Sequence, residues 1–263
     1  MQTILKKITD NKYEELIETK KQRPLNMFYE QIKNTLTTPR DFKLALTKND
    51  INIIAELKKA SPSKGDLATD LDIIHYAQIY EKSKAAAISV LTENKFFKGN
   101  IHYLKQVSQL VSIPVLRKDF IIDPYQIFEA RFFGADAILL IAAILDDKTL
   151  VDFLSVTKTL KMQALVEVHT QEELDRVLQT KAEIIGINNR NLENFEVDIK
   201  TTAKLLKGLS PETRKNKVFV SESGISTKGH IDFLMRSDIN AFLIGEAIVK
   251  NDQPEQFFKA MLK

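Results

Sequence analysis

The chain contains no cysteine. Disulfide scaffolds, thiolate metal sites and cysteine nucleophiles are therefore excluded together, and a reducing cytoplasm suits such a composition. Long hydrophobic runs are lacking as well. The longest, residues 137–145, falls far short of the ~20 apolar residues needed to cross a bilayer. Residues 1–20 alternate charges with scattered Ile and Leu and have no apolar h-region, so no secretory signal is read there. Nor is there an excess of one charge. The 38 basic residues are nearly balanced by 35 acidic ones, giving a formal net charge of +3 and no general pull toward nucleic acid. Two glycine-rich nucleotide signatures are absent: no Gly-x-Gly-x-x-Gly follows the first apolar run, and no Gly-x-x-x-x-Gly-Lys-Ser/Thr occurs anywhere. His75, His102, His169 and His230 have no helical or hairpin metal-ligand spacing, so no metal is expected.

What is present is a rhythm. With 44% hydrophobic and 28% charged residues, the composition is that of a globular chain rather than a disordered or fibrous one. A chain of this length folding around one core buries roughly 70–75% of the surface its unfolded form exposes. From about residue 50, short aliphatic runs alternate with longer helical patterns. The runs cover residues 51–57, 86–91, 113–116, 137–141, 164–168, 183–187, 218–220 and 241–244. Their near-continuous apolar character suits strands buried on both faces of a parallel sheet. Between them lie helix signals: Asp123-Pro124 as cap and first helical residue, with Gly134 as the stop; Thr170 with Glu173 three residues on; and openings at Asp146, Asp198 and Asp252-Pro254. Ser210-Pro211 reads as the end of the helix that Asp198 opens.

Strand and helix alternating eight times, at about 27 residues per unit, predicts an α/β fold, a (β/α)8 (TIM) barrel. An open doubly wound sheet shares the local pattern but lacks its glycine fingerprint here. The expectation is one barrel domain over residues 1–263. Residues 1–48 form an N-terminal helical extension, broken at Pro39 and packed on the barrel. Within it, Lys6, Lys7, Lys12, Lys20 and Lys21 alternate with Glu14, Glu15 and Glu18 and read as a solvated helix face.

In this fold the chemistry sits at the C-terminal ends of the strands. Glu56 and Lys58 are two apart on the first strand and so face the same side, inward over the barrel mouth. Glu167 and Glu222 also interrupt apolar runs, and a charge in a buried strand needs a partner or a function. Each could belong to a structural ion-pair network. Three carboxylates (Glu56, Glu167, Glu222) and three cations (Lys58, Lys118, Arg190) gathered at one end instead suggest an acid–base site. Gly224 and Gly245 follow strands 7 and 8, where backbone N–H groups often bind phosphate and glycine permits close approach; each could equally relieve a tight turn. Ser61, Pro62, Ser63 and Gly65 form a first loop whose hydroxyls could reach the same phosphate. Phe96-Phe97-Lys98-Gly99 follows strand 2, as a pocket wall or as a cover for the barrel.

These motifs are similar to those of the indole-3-glycerol-phosphate synthase family of tryptophan biosynthesis. The resemblance rests on Ile54-Ala55-Glu56-Leu57-Lys58-Lys59-Ala60-Ser61-Pro62-Ser63, Ser89-Val90-Leu91-Thr92-Glu93, Leu116-Arg117-Lys118-Asp119-Phe120-Ile121, Val166-Glu167-Val168-His169, Gly186-Ile187-Asn188-Asn189-Arg190-Asn191-Leu192, Ser221-Glu222-Ser223-Gly224-Ile225 and Leu243-Ile244-Gly245-Glu246. It implies ring closure of 1-(2-carboxyphenylamino)-1-deoxyribulose 5-phosphate to indole-3-glycerol phosphate, CO2 and water, a carboxy-lyase reaction with no cofactor. It further implies that Lys118 is the general acid at the ketone oxygen. Lys58 is the second catalytic lysine, near the substrate carboxylate and active in dehydration, and Glu167 steadies positive charge and moves a proton. Glu56, Asn188 and Glu222 complete the catalytic set. Ser61, Phe120, Arg190, Ser223, Gly224, Gly245 and the N–H of Glu246 bind substrate, several of them at its phosphate. A proton donor working near neutral pH leads to the expectation that the Lys118 pKa is lowered by burial or by other cations. The implied partner is a small phosphorylated substrate, with no nucleic acid or membrane, and the chain acts as a cytoplasmic monomer or weak homodimer. Two other readings stay open: a Schiff-base aldolase using Lys118 or Lys58 as nucleophile, and a catalytically silent barrel serving as a binding partner.

Overall fold

A computed structural model describes residues 3–35, 37–191 and 195–263. Eight parallel strands close into a barrel: β1 (Asn52–Leu57), β2 (Ala87–Leu91), β3 (Val115–Lys118), β4 (Ala137–Ile141), β5 (Gln163–Val168), β6 (Ile184–Asn188), β7 (Val218–Glu222) and β8 (Ala241–Ile244). Each pairs with its neighbours in sequence, and β8 returns to β1 with Ala55 opposite Ile244. The connecting helices are α4 (Ile73–Lys82), α5 (Ile101–Leu110), α6 (Pro124–Phe132), α7 (Asp147–Thr159), α8 (Gln171–Leu178), α9 (Lys200–Leu206), α10 (Pro211–Asn216), α11 (Lys228–Met235), α12 (Glu246–Val249) and α13 (Pro254–Met261), preceded by α1 (Ile4–Gln22), α2 (Leu25–Thr35) and α3 (Phe42–Ala45). Among the described residues no helix is long and apolar enough to cross a membrane.

The strands are buried on both faces, and the faces do different things. Ile53, Ala55 and Leu57 pack outward into the layer between strands and helices. Ile54, Leu116, Leu165, Val220 and Leu243 fill the barrel interior. A strand alternates faces residue by residue. Two residues beyond those interior apolar side chains, the same face therefore carries Glu56, Lys118, Glu167, Glu222 and Gly245. The pleat alone turns all five positions toward the barrel interior, above an apolar floor.

Local chemistry sets the helix starts. Asp123 and Gln126 form a reciprocal capping box with Pro124 at the first helical position, and Gly134 follows α6 at φ +88°. Asp146 accepts from the Thr149 N–H, and Thr170 from that of Glu173. Two boundaries differ from the sequence reading. Ser210-Pro211 does not end α9, which stops at Leu206; it opens α10, with Ser210 accepting from Thr213 N–H, because Ser followed by Pro is a start signal as much as a stop. Asp252 does not cap α13, whose cap position is Gln253.

The N-terminal segment runs as a strap from the barrel mouth to its base. It breaks at Pro24 as well as near Pro39. Phe42 and Leu46 close the N-terminal end, joining the interior apolar cluster. In α2, Phe28 packs on Tyr125 and Phe132 of α6. In α1, Ile8, Lys12 and Leu16 share the buried face. Lys12 is thus not part of a solvated face: it is 6% exposed, because a spacing of four puts it in line with Ile8 and Leu16. Its ammonium is held by Asp119 (3.2 Å) and Glu15 (2.9 Å). Asp119 also accepts from Arg117 (3.1 Å), Thr92 Oγ1 (2.6 Å) and the Phe120 N–H (2.8 Å). Burial works to raise the Asp119 pKa, but Lys12 and Arg117 outweigh it and hold the carboxyl at about 2. Stability from this depressed group is present above its ordinary pKa near 4 and is lost as pH falls toward 2. Asp119→Asn is expected to cost about 2–3 kcal/mol at neutral pH in urea denaturation, a deficit that narrows as the wild type is taken to about pH 2.

Candidate active site

At the C-terminal end of the strands lies a cavity of about 670 Å3. Its wall includes Glu56, Lys58, Ser61, Lys118, Phe120, Glu167, Asn188, Arg190, Glu222, Ser223, Gly224, Gly245 and Glu246, so every candidate residue faces one space. Ile4, Leu5 and Ile8 of α1 roof it, and Leu139 and Ile141 of β4 add apolar wall. The sequence reading did not place α1 in the site; that needs the tertiary docking of the strap. Phe97 lines the cavity and stacks at 6.0 Å on Phe120. Its loop is pinned by Glu93, which accepts from the N–H groups of Lys95, Phe96 and Phe97. Leu192, the last residue of the motif after β6, lies outside the described residues.

The charged groups sit close together. Lys58 Nζ is 2.6 Å from Glu56 Oε2. Lys118 Nζ is 3.5 Å from Glu167 Oε2 and 3.7 Å from Glu222 Oε2. Asn188 Nδ2 donates to Glu167 Oε1 (3.2 Å). Arg190 is anchored through its N–H to Asn188 Oδ1 and through its guanidinium to Phe195 O. Burial lowers the tendency of Lys118 to stay charged, but Glu167, Glu222 and Glu56 outweigh it, and its pKa is raised. The expectation of a lowered Lys118 is therefore corrected: three carboxylates from three strands face it. Glu56 and Glu167 are both pushed up by burial, yet both end below the carboxylate range, Glu56 through Lys58 and Lys118, Glu167 through Lys118 and His169. Glu222 goes the other way, raised to about 8 by burial and by the neighbouring Glu167 charge. Neither of its oxygens has a hydrogen-bond partner among the described residues. Two neighbouring carboxyls thus stand in opposite protonation states near neutral pH, one a base and one an acid.

Two glycines make room for this cluster, and a third shapes the loop beside it. At Gly186, which the sequence reading did not single out, a Cβ would overlap the Glu222 carboxylate. At Gly245 a Cβ would overlap the carboxylate of Glu56, although the backbone φ of −124° suits any residue. At Gly224 φ is +78° and a Cβ would strike Val197; Ser223 before it is also left-handed at +67°. Glu246 lines the cavity with its carboxylate neutralised by Lys250 (2.7 Å) and near Arg190 (4.0 Å). Gly245→Ala is accordingly expected to lower kcat by about a hundredfold through displacement of Glu56, and not to act on KM alone. Steady-state kinetics with a thermal melt to check folding measures this; a change confined to KM would tie Gly245 to the phosphate only.

Acid and base side chains converging on the C-terminal mouth of a (β/α)8 barrel define an enzyme of that architecture. The sequence model of "Indole-3-glycerol phosphate synthase" matches residues 5–261. The indole-3-glycerol phosphate synthase of Endomicrobium trichonymphae is 55% identical over 80% of this chain and 80% of its own. That of Caldanaerobacter subterraneus subsp. tengcongensis is 47% identical over 95% and 94%. The 3-hexulose-6-phosphate synthase structure from Salmonella typhimurium shares the fold, with TM-score 0.64 and 12% identity over 80% of this chain and 96% of that one. The chain belongs to the indole-3-glycerol phosphate synthase family, and so to the carboxy-lyases of tryptophan biosynthesis.

Proposed function

We propose that the cavity carries out the family reaction as follows. The phosphate of 1-(2-carboxyphenylamino)-1-deoxyribulose 5-phosphate is gripped at Ser61, Gly224, Gly245 and the N–H of Glu246, with Arg190 and Ser223 beside it. The anthranilate ring lies between Phe120 and the apolar wall, its carboxylate near Lys58. The ring carbon that bears the carboxylate attacks the ketone carbon, and Lys118 gives its proton to the ketone oxygen. The new carbon–carbon bond leaves a cationic iminium, which ionised Glu167 and Glu56 stabilise. Loss of CO2 returns an electron pair to the ring. The hydroxyl made from the ketone then leaves as water, with protons moved by Lys58, Glu56 and Glu222, while Asn188 holds Glu167. The apolar walls hold the reacting carbons together, which supplies several kcal/mol of barrier reduction.

The observation that carries this reading is the charged Lys118 ammonium set between ionised Glu167 and raised Glu222. A lysine held charged is a proton donor and a poor amine nucleophile. We infer a monomer or weak homodimer acting in the cytoplasm on this small phosphorylated substrate, as one barrel domain, without nucleic acid or membrane. The test is the appearance of indole absorbance from the carboxyphenylamino substrate with purified protein and no metal or cofactor added. A folded protein that consumes no substrate would overturn the reading.

A further inference from the structure

His169 follows β5 directly, and its side chain is 9% exposed. The two ring nitrogens face two different carboxylates. Nδ1 lies 3.3 Å from Glu173 Oε2, and Nε2 lies 3.2 Å from Glu167 Oε1. Glu173 Oε2 also accepts the His169 backbone N–H at 2.7 Å. Glu173 is itself set in the first turn of α8, its N–H bound by the Thr170 cap. One carboxylate thus holds both the main chain and the ring of His169, and the other ring nitrogen lies within ion-pair reach of Glu167 without hydrogen-bonding to it.

A neutral imidazole has one N–H and one lone pair. Facing two carboxylates, it would turn the lone pair toward one of them. Only the imidazolium sets a positive charge, rather than a lone pair, beside both carboxylates. Glu167 Oε1 is then approached by His169 and by Asn188, and Oε2 by Lys118. We propose that His169, as an imidazolium clasped by Glu173, is a positioning residue that fixes Glu167 in place and keeps it ionised for the reaction. This rests on the catalytic role given to Glu167 above.

The surroundings agree. Burial works against the charge, but Glu167 on its own strand and Glu173 on α8 overcome it and raise the imidazole to about 9. The turn after β4, Ala142–Ile144, packs on α8 and contributes no titratable group, and Asn188 of β6 is neutral. Lys118 of β3 faces Glu167 at 3.5 Å, and Glu222 of β7 faces Lys118 at 3.7 Å.

The test combines kinetics with imidazole titration. His169→Gln keeps a donor and removes the charge. It is expected to lower kcat about tenfold with KM within about twofold, and to move the acid limb of the kcat profile up by about one pH unit, since Glu167 loses a cation that favours its charged form. In a Glu167→Gln background the same change is expected to do nothing further to kcat. With four histidines in the chain, the imidazole resonances are separable by NMR. His169 is expected to titrate near 9 in the wild type and to fall in Glu167→Gln. A folded His169→Gln with an unmoved acid limb, whatever its kcat, overturns the proposal, as does an imidazole titrating at its ordinary value. Wild-type turnover in Glu167→Gln would remove the role of Glu167 itself and the proposal with it, an outcome distinct from the other two.

Discussion

Lys118→Met is expected to lose about a thousandfold in kcat while the carboxyphenylamino substrate still binds. The ammonium lies 3.5 Å from Glu167 and 3.7 Å from Glu222, and the surrounding carboxylates raise its pKa. It is therefore held charged, and in the proposed mechanism it gives up its proton only as the ketone oxygen becomes strongly basic in the transition state. Arginine preserves the charge but is a far weaker acid, so Lys118→Arg is expected to fall nearly as far. Binding, followed by fluorescence titration, is expected to survive because the proposed phosphate grip lies on the loops after other strands, at Ser61, Gly224 and Gly245. The aldolase alternative requires a neutral amine at the carbonyl carbon. Borohydride added during turnover is expected to trap no adduct on the wild-type chain; a substrate-derived mass on Lys118 would bring that alternative forward.

Glu167→Gln is expected to cut kcat and kcat/KM by similar factors of about a hundred to a thousand, with KM little changed. The carboxylate is held ionised by Lys118 and His169, so its charge is present before the substrate arrives and, in the proposed mechanism, is used when the iminium forms. Glutamine retains the shape without the charge. A second effect has a definite sign. The Glu167 charge helps to raise Glu222, so removing it lowers the Glu222 pKa, and the pH profile of the residual activity shifts to lower pH. A KM change alone would move Glu167 to the binding residues.

Much of the barrel can be read from the sequence because parallel strands covered on both faces must be nearly all apolar, and interruptions such as Glu56, Glu167 and Glu222 stand out against that background. Once the strand ends were placed, period two put Lys118 and the carboxylates on one side. Other features depend on distances between separate strands. The raised pKa of Lys118 needs three carboxylates from β1, β5 and β7 around one ammonium, and a linear reading of neighbours cannot supply that. Lys12 looked solvated because its sequence neighbours are charged; its burial follows from the face it shares with Ile8 and Leu16. His169, beside a capping threonine, reads in the sequence as part of a turn; that its two ring nitrogens lie beside Glu167 and Glu173 depends on the packing of β5 against α8. Gly245 was read against a phosphate, whereas the atom its missing side chain makes room for belongs to Glu56. Legible throughout was which residues point to the mouth; how they set one another's charge was not.

The strap that roofs the cavity has a consequence for the order of events during synthesis. Lys12 pairs with Asp119, and Tyr125 of α6 donates to the carbonyl of Arg23, so α1 has no surface to bury against until roughly a hundred further residues have been made. Most helical stability comes from packing an apolar face against the rest of the fold, so α1 gains its full stability only once the barrel it docks on is built. Because Ile4, Leu5 and Ile8 then line the cavity, a segment made before the barrel takes up its position only after the barrel strands it docks on, and the wall of the cavity is completed late.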